Sequence, residues 1–252
     1  MEVEATRRWL DQRLTGRAIV ELDLVDRRLW KCGDPELAGR RVLGVRRRAK
    51  WLWLQLDQGG LAVHLRMTGR FASQPDGKLR ATLSTEDGHV HFLDTRCFAE
   101  WHHVDALEQV LGRLGPEPWP GVQPAAWWQE RMHGLRGAIK PAFMKQDRIA
   151  GLGNIAAIEL CWLAELDPTT RVPSVGAATW TRVGEACHDH LTRALADALR
   201  DGMRYLNDGG GDHDNPFYVY RREGQPCPRC SGLIERFVQA GRGTFWCPGC
   251  QV

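Results

Sequence analysis

The chain has 252 residues, 43% of them hydrophobic, with 34 basic and 31 acidic side chains and a formal net charge of +3. That content can bury one large core or two modest ones; no run of about 18 apolar residues is present to cross a bilayer, and the charged first residues lack a signal-peptide pattern. The balance is too mild to argue for a polyanionic partner by itself, and a soluble, cytoplasmic protein is expected.

In chain order, Val3, Trp9, Leu10 and Leu14 recur at helical spacing and Gly16 ends the pattern, which predicts a first helix over 2–14. From Ala18 to His103 the period changes. Short β-rich runs such as AIVELDLV and LAVHLRM are punctuated by Gly, Pro and Asp, predicting a β-sandwich of about eight strands. Basic clusters at Arg7–Arg8, Arg40–Arg41, Arg46–Arg47–Arg48–Lys50 and Arg221–Arg222 read either as phosphate-facing surface or as solvated faces. Four prolines within 114–124 stop both helix and sheet and mark a boundary.

Helical patterns follow over 124–133, 139–146, 154–164 and 176–206, with a Gly-rich turn at 151–153; the last helix carries Trp180, Val183, Leu191, Leu195, Leu199 and Met203 on one stripe. Residues 207–215 have little to bury and are expected as part of a mobile loop, followed by a strand over 216–222 and a hairpin over 233–246. The fold class is therefore α+β: an N-terminal β-sandwich with a leading helix over 1–113, a linker over 114–123, a helical domain over 124–206, a loop over 207–217 and a C-terminal β-hairpin over 218–252.

Cys227, Cys230, Cys247 and Cys250 are spaced C-x2-C-x16-C-x2-C. Each knuckle presents two thiolates to one ion, and four protein ligands leave no position open for water, so one structural Zn2+ per chain is expected, with two disulfides as the alternative. Cys32, Cys97, Cys161 and Cys187 read as ordinary buried thiols. Arg242 sits near the hairpin tip, where a guanidinium can reach a phosphate or a groove. Zinc ribbons also serve protein-binding modules, so this element alone leaves the partner open.

Five landmarks occur in order: Glu2-Val3-Glu4 with Arg7-Arg8; Arg48-Ala49-Lys50 with His64-Leu65, Met67 and Gly69; Asp94, Arg96 and Phe98 at alternate positions; Ile139-Lys140-Pro141 followed by Gly151-Leu152-Gly153-Asn154-Ile155; and the zinc hairpin with Arg242. On these the chain resembles the formamidopyrimidine-DNA glycosylase and endonuclease VIII family of base-excision repair enzymes. The resemblance implies a helix–two-turn–helix DNA-binding domain in 124–206 and a nucleoid-associated monomer. It implies a DNA glycosylase with AP (β-elimination) lyase activity, acting by base flipping on double-stranded DNA that carries damaged bases or abasic sites. Lys50, His64, Asn154, Tyr220 and Arg242 match the family's phosphate contacts, and Lys140 is a further DNA contact. Met67, Arg96 and Phe98 match the side chains that fill the hole left by an extruded base. Glu159 matches a carboxylate near the reacting amine and is carried with Lys50 as catalytic.

Departures accompany the match. Family members begin with a proline whose amine attacks the sugar C1′, followed by a glutamate; aligned on Glu2-Val3-Glu4, Met1 stands where a proline precedes that segment. Three readings stay open: residues upstream restore the motif; the chain is a paralogue that binds damaged or abasic DNA without cutting it; or another amine serves, the Met1 α-amine, Lys50 or Lys140. Arg66 replaces a usual glycine and Cys97 a usual basic residue, and the glycine- and aspartate-rich 207–217 segment names no lesion. A zinc-ribbon protein with an unrelated partner is the remaining class.

Overall fold

The computed structural model, which describes residues 1–200 and 215–252, separates the chain into two units, Met1–Gly112 and Arg113–Val252. In the first, helix α1 spans Glu2–Leu14 with Glu2 and Glu4 in its first turn, where negative charge suits the helix dipole. Leu10 and Leu14 are fully buried, with Val3 and Trp9 packed beside them.

Nine strands follow: β1 (Ile19–Leu24), β2 (Trp30–Cys32), β3 (Val42–Arg48), β4 (Trp51–Leu56), β5 (Gly60–His64), β6 (Gly69–Ala72), β7 (Leu79–Thr85), β8 (Gly88–Asp94) and β9 (Glu100–Val104). They form two sheets, ordered β1-β7-β8-β6 and β2-β9-β5-β4-β3. The count exceeds the expected eight because Trp30–Cys32 adds a short edge strand parallel to β9. Alternation puts Leu52, Leu54 and Leu56 of β4 inside, and the core closes on Phe92, whose ring meets Phe71 and Trp101 edge-on, each at 5.0 Å.

Two expectations change here. Arg7, Arg8 and Arg47 all bind the buried Glu4 carboxylate, at 3.1, 2.9 and 3.1 Å, so much of the N-terminal basic cluster is spent internally. Burial pushes the Glu4 carboxyl up, but the three guanidiniums outweigh it and the pKa is lowered. Cys32, expected as a buried thiol, is exposed, because it lies on an edge strand.

The second unit contains α2 (Ala125–Met132), α3 (Ile139–Phe143), α4 (Asn154–Leu163), α5 (Ala177–Arg200), β10 (Glu235–Gln239) and β11 (Arg242–Trp246). Trp180, Val183, Leu191 and Leu195 of the α5 stripe are buried, whereas Leu199 is 49% exposed. Met203 and most of the 207–217 loop lie outside the described residues. Ala240 and Gly241 are both left-handed (φ 49° and 73°), giving β10 and β11 a two-residue hairpin turn with Gln239 opposite Arg242.

Residues 216–222 are not the expected strand. The consecutive N–H groups of Tyr218, Val219 and Tyr220 all donate to the Glu159 carboxylate, at 2.8, 3.0 and 3.0 Å, and so are unavailable to a ladder.

Candidate nucleic-acid interface

In the first unit, Lys50 lies in the turn between β3 and β4, after the left-handed Ala49 (φ 53°). Burial lowers the pKa of the Met1 amine, and the charges of Arg47 and Lys50 lower it further, while Glu2 opposes them. His64 ends β5 with its ring 5.0 Å from Trp51, edge to face. Its Nδ1 accepts the Arg66 N–H at 3.0 Å, which leaves Nε2 as the nitrogen that carries hydrogen. Burial, then the nearby Arg66 charge, pushes the His64 pKa down to about 4, so a neutral imidazole with Nε2 as its one donor is the form at neutral pH.

Met67 and Phe98 are 66% and 57% exposed, and the Arg96 guanidinium lies 5.1 Å over the Phe98 ring. Exposed apolar side chains are ordinary when scattered singly, but these two lie on segments that the pairing of Gly69 with Asp94 brings side by side, the kind of patch that marks an interaction surface. Both segments that carry them are bent by a left-handed residue, Arg66 (φ 56°) beside Met67 and Cys97 (φ 52°) between Arg96 and Phe98. A glycine adopts this conformation without a Cβ penalty; here Arg66 takes it with its guanidinium paired to Glu100, and Cys97 takes it with its thiol donating to Asp26 Oδ2 at 3.2 Å.

In the second unit, Asn154 begins α4 and donates from Nδ2 to the Gly243 carbonyl at 3.2 Å. Lys140 of α3 is fully buried and donates from Nζ to Thr244 Oγ1 at 3.1 Å. Its pKa falls to about 8, mainly through burial, with the Arg242 charge adding to the effect against the pull of Cys161. These two bonds tie the α3 and α4 segments to the residues that directly follow Arg242, which itself is exposed. Sequence reasoning missed Gly243 and Thr244 because an acceptor carbonyl and a buried hydroxyl leave no pattern. Tyr220 packs its ring edge-on to Phe245 at 5.3 Å.

Glu159 and Lys140, both carried as candidates for the chemistry, have no exposed surface. Burial pushes the Glu159 carboxyl up against the opposing pull of its three amides and Arg193. Both of its oxygens are occupied by backbone, an arrangement that holds chain in place.

The four zinc-spaced cysteines converge, with their Sγ atoms all within 4.8 Å of one another. Cys227 and Cys250 sulfurs are 3.8 Å apart and those of Cys230 and Cys247 3.4 Å. Four thiolates about 2.3 Å from one ion lie roughly 3.8 Å apart, whereas a disulfide needs about 2.0 Å. The Arg229 N–H and the Trp162 indole N–H each donate to the Cys227 sulfur at 3.4 Å, the outer support expected of a thiolate ligand. The site is built for one structural Zn2+.

A β-sandwich, a helical unit with a Gly-x-Gly-Asn turn and a four-cysteine zinc hairpin together define an α+β zinc-finger fold. Residues 1–101 match the formamidopyrimidine-DNA glycosylase N-terminal domain, residues 114–204 the formamidopyrimidine-DNA glycosylase H2TH domain, and residues 224–252 the zinc finger found in FPG and IleRS. The chain belongs to the formamidopyrimidine-DNA glycosylase family. It is 39% identical over 271 residues to formamidopyrimidine-DNA glycosylase of Chloroflexus aggregans, covering 100% of this chain and 97% of the relative. The Roseiflexus sp. enzyme of that name is 36% identical over 271 residues, covering 99% and 98%. Among solved structures, the MutM (Fpg) protein of Thermus thermophilus has a TM-score of 0.84 and 32% identity, covering 99% and 97%. Lactococcus lactis Fpg in complex with DNA containing an abasic site has a TM-score of 0.86 and 29% identity, covering 99% and 98%.

Proposed function

We infer that the protein is a base-excision repair DNA glycosylase with associated AP lyase activity, acting as a monomer on damaged bases in duplex DNA. The observation that carries this reading is similarity along the whole chain to formamidopyrimidine-DNA glycosylases, among them one solved with abasic-site DNA and again with Fapy-dG DNA. In the chemistry proposed, an amine attacks the sugar C1′ and the damaged base leaves. The opened sugar is held as a Schiff base, and loss of a C2′ proton expels the 3′ phosphate. Lys50, in the turn between β3 and β4, is assigned to the reacting centre.

Around that chemistry we assign His64, Asn154, Tyr220 and Arg242 to the phosphate backbone, with Lys140 acting from behind through Thr244. Met67, Arg96 and Phe98 fill the vacated stack, which their exposure supports. Glu159 is assigned to holding Tyr220 rather than to proton transfer. We further propose the division 1–113 for the sandwich, 124–206 for the helix–two-turn–helix domain and 218–252 for the zinc hairpin, and association with the nucleoid as the working location.

Borohydride trapping on abasic DNA tests the activity. A covalent protein–DNA adduct is expected; tight binding without an adduct would instead identify a binder that does not cut.

A further inference from the structure

The register of β6 against β8 places Gly69 opposite Asp94, so the segment that enters β6 and the one that leaves β8 run side by side. The first carries Met67 and Thr68, the second Arg96, Cys97 and Phe98. Asp94 stands between them, 1% exposed. Its Oδ1 accepts from the Thr68 hydroxyl and from the Arg96 N–H, the latter at 3.1 Å, and its Oδ2 accepts from the Ala99 N–H at 3.0 Å. The Arg80 guanidinium holds the Asp94 carbonyl at 2.8 Å.

A buried carboxylate is expensive unless its lone pairs are met. Here they are met by donors from both segments, and the hydroxyl that crosses the gap belongs to the residue directly after Met67. We propose that Asp94 is a positioning residue that latches the two segments into one preformed wedge, with Thr68 as its partner on the Met67 side. The proposal rests on reading Met67, Arg96 and Phe98 as the fillers of the vacated stack. Its physical content is preorganisation: the entropy of ordering both segments is lost on folding, so it does not weaken the encounter with DNA. The effect belongs to DNA that contains a void, because intact duplex gives the wedge nothing to enter.

The test uses a duplex with a tetrahydrofuran abasic site opposite 2-aminopurine, and the same duplex without the lesion. Thr68→Val removes the hydroxyl at nearly constant shape, Thr68→Ser keeps it, and Asp94→Asn removes one acceptor. Thr68→Val and Asp94→Asn are expected to lower affinity for the abasic duplex about tenfold, as for one charge-assisted hydrogen bond, while intact-duplex affinity stays within about twofold. Both should also diminish the 2-aminopurine fluorescence change on binding, and Thr68→Ser should match the parent. Met67→Ala and Phe98→Ala on the same duplexes examine the wedge reading itself. If these two alter the fluorescence and the Thr68→Val and Asp94→Asn variants do not, the latch is overturned while the wedge stands. If none alters it, both fall. Equal losses on the two duplexes would make Asp94 a support of the fold only and overturn the latch. Should Asp94→Asn fail to fold, Thr68→Val decides.

Discussion

The Asn154 side-chain amide donates to the Gly243 carbonyl at 3.2 Å, and its Oδ1 is buried without a hydrogen-bond partner among the described residues. The residue thus couples the start of α4 to the strand that begins with Arg242. Asn154→Ala is expected to lower duplex affinity about tenfold, the order of one lost hydrogen bond with an unsatisfied neighbour. Because a neutral amide displaces no counterion, the dependence of log affinity on log salt should keep its slope. Salt titrations by fluorescence anisotropy check this; a changed slope would show that the loss of Asn154 had displaced a cation as well.

Arg242 opens β11 directly after the hairpin turn and is exposed. A guanidinium there suits phosphate oxygens, which carry no sequence information. Arg242→Ala should weaken binding about uniformly across lesions and reduce the salt slope by about 1. An untouched slope with a re-ranked set of lesions would make the arginine a base reader.

Zinc organises the hairpin through Cys227, Cys230, Cys247 and Cys250. Cys230→Ser, or chelation of the metal, should unfold residues 224–252, strip about one zinc per chain and abolish tight DNA binding, while Met1–Gly112 keeps its hydrogen-exchange protection. Metal analysis and exchange mass spectrometry follow both; full DNA affinity in a metal-free sample would contradict a structural ion.

Glu159 accepts from three consecutive amides with two oxygens, and a glutamine has only one oxygen to offer. Glu159→Gln should leave at least one amide unmet and destabilise the second unit by about 2 kcal/mol, with faster exchange at Tyr218–Tyr220. Unchanged exchange there would remove the assignment of Glu159 to holding Tyr220.

His64 and His190 are both pushed down to about 4, chiefly by burial, with Arg66 and Arg193 respectively adding to it. Unfolded, each would titrate near 6.5. Between those values the unfolded chain binds protons that the folded chain refuses, so stability present above pH 6.5 is lost as pH falls toward about 4 and then levels off for these groups. Thermal melts across that window should show a falling midpoint, and His190→Leu should make the fall shallower. An identical slope in that variant would assign the pH dependence elsewhere.

Features set by neighbours in the chain were legible beforehand. The 2–14 stripe became α1, and the cysteine spacing converged on one metal-sized cluster. Features set by distant partners were not. β2 exists through its parallel pairing with Trp101 and His102 far along the chain, and residues 216–222 lost their strand to a carboxylate some 60 residues upstream. The aromatic and β-branched pattern of Tyr218-Val219-Tyr220 is a fair strand signal; nothing local reveals that Glu159 claims its amides. The same holds for the candidate site, where Asp94 stood in a motif but its link to Thr68 depends on the register of β6 against β8.

Glu159 also acts as a fixed mooring just past residues 201–214. A carboxylate that grips Tyr218, Val219 and Tyr220 by main-chain atoms alone is indifferent to their side chains and to how many residues precede them. Insertions or deletions ahead of Asn215 therefore need not shift Tyr220 or the zinc hairpin that follows.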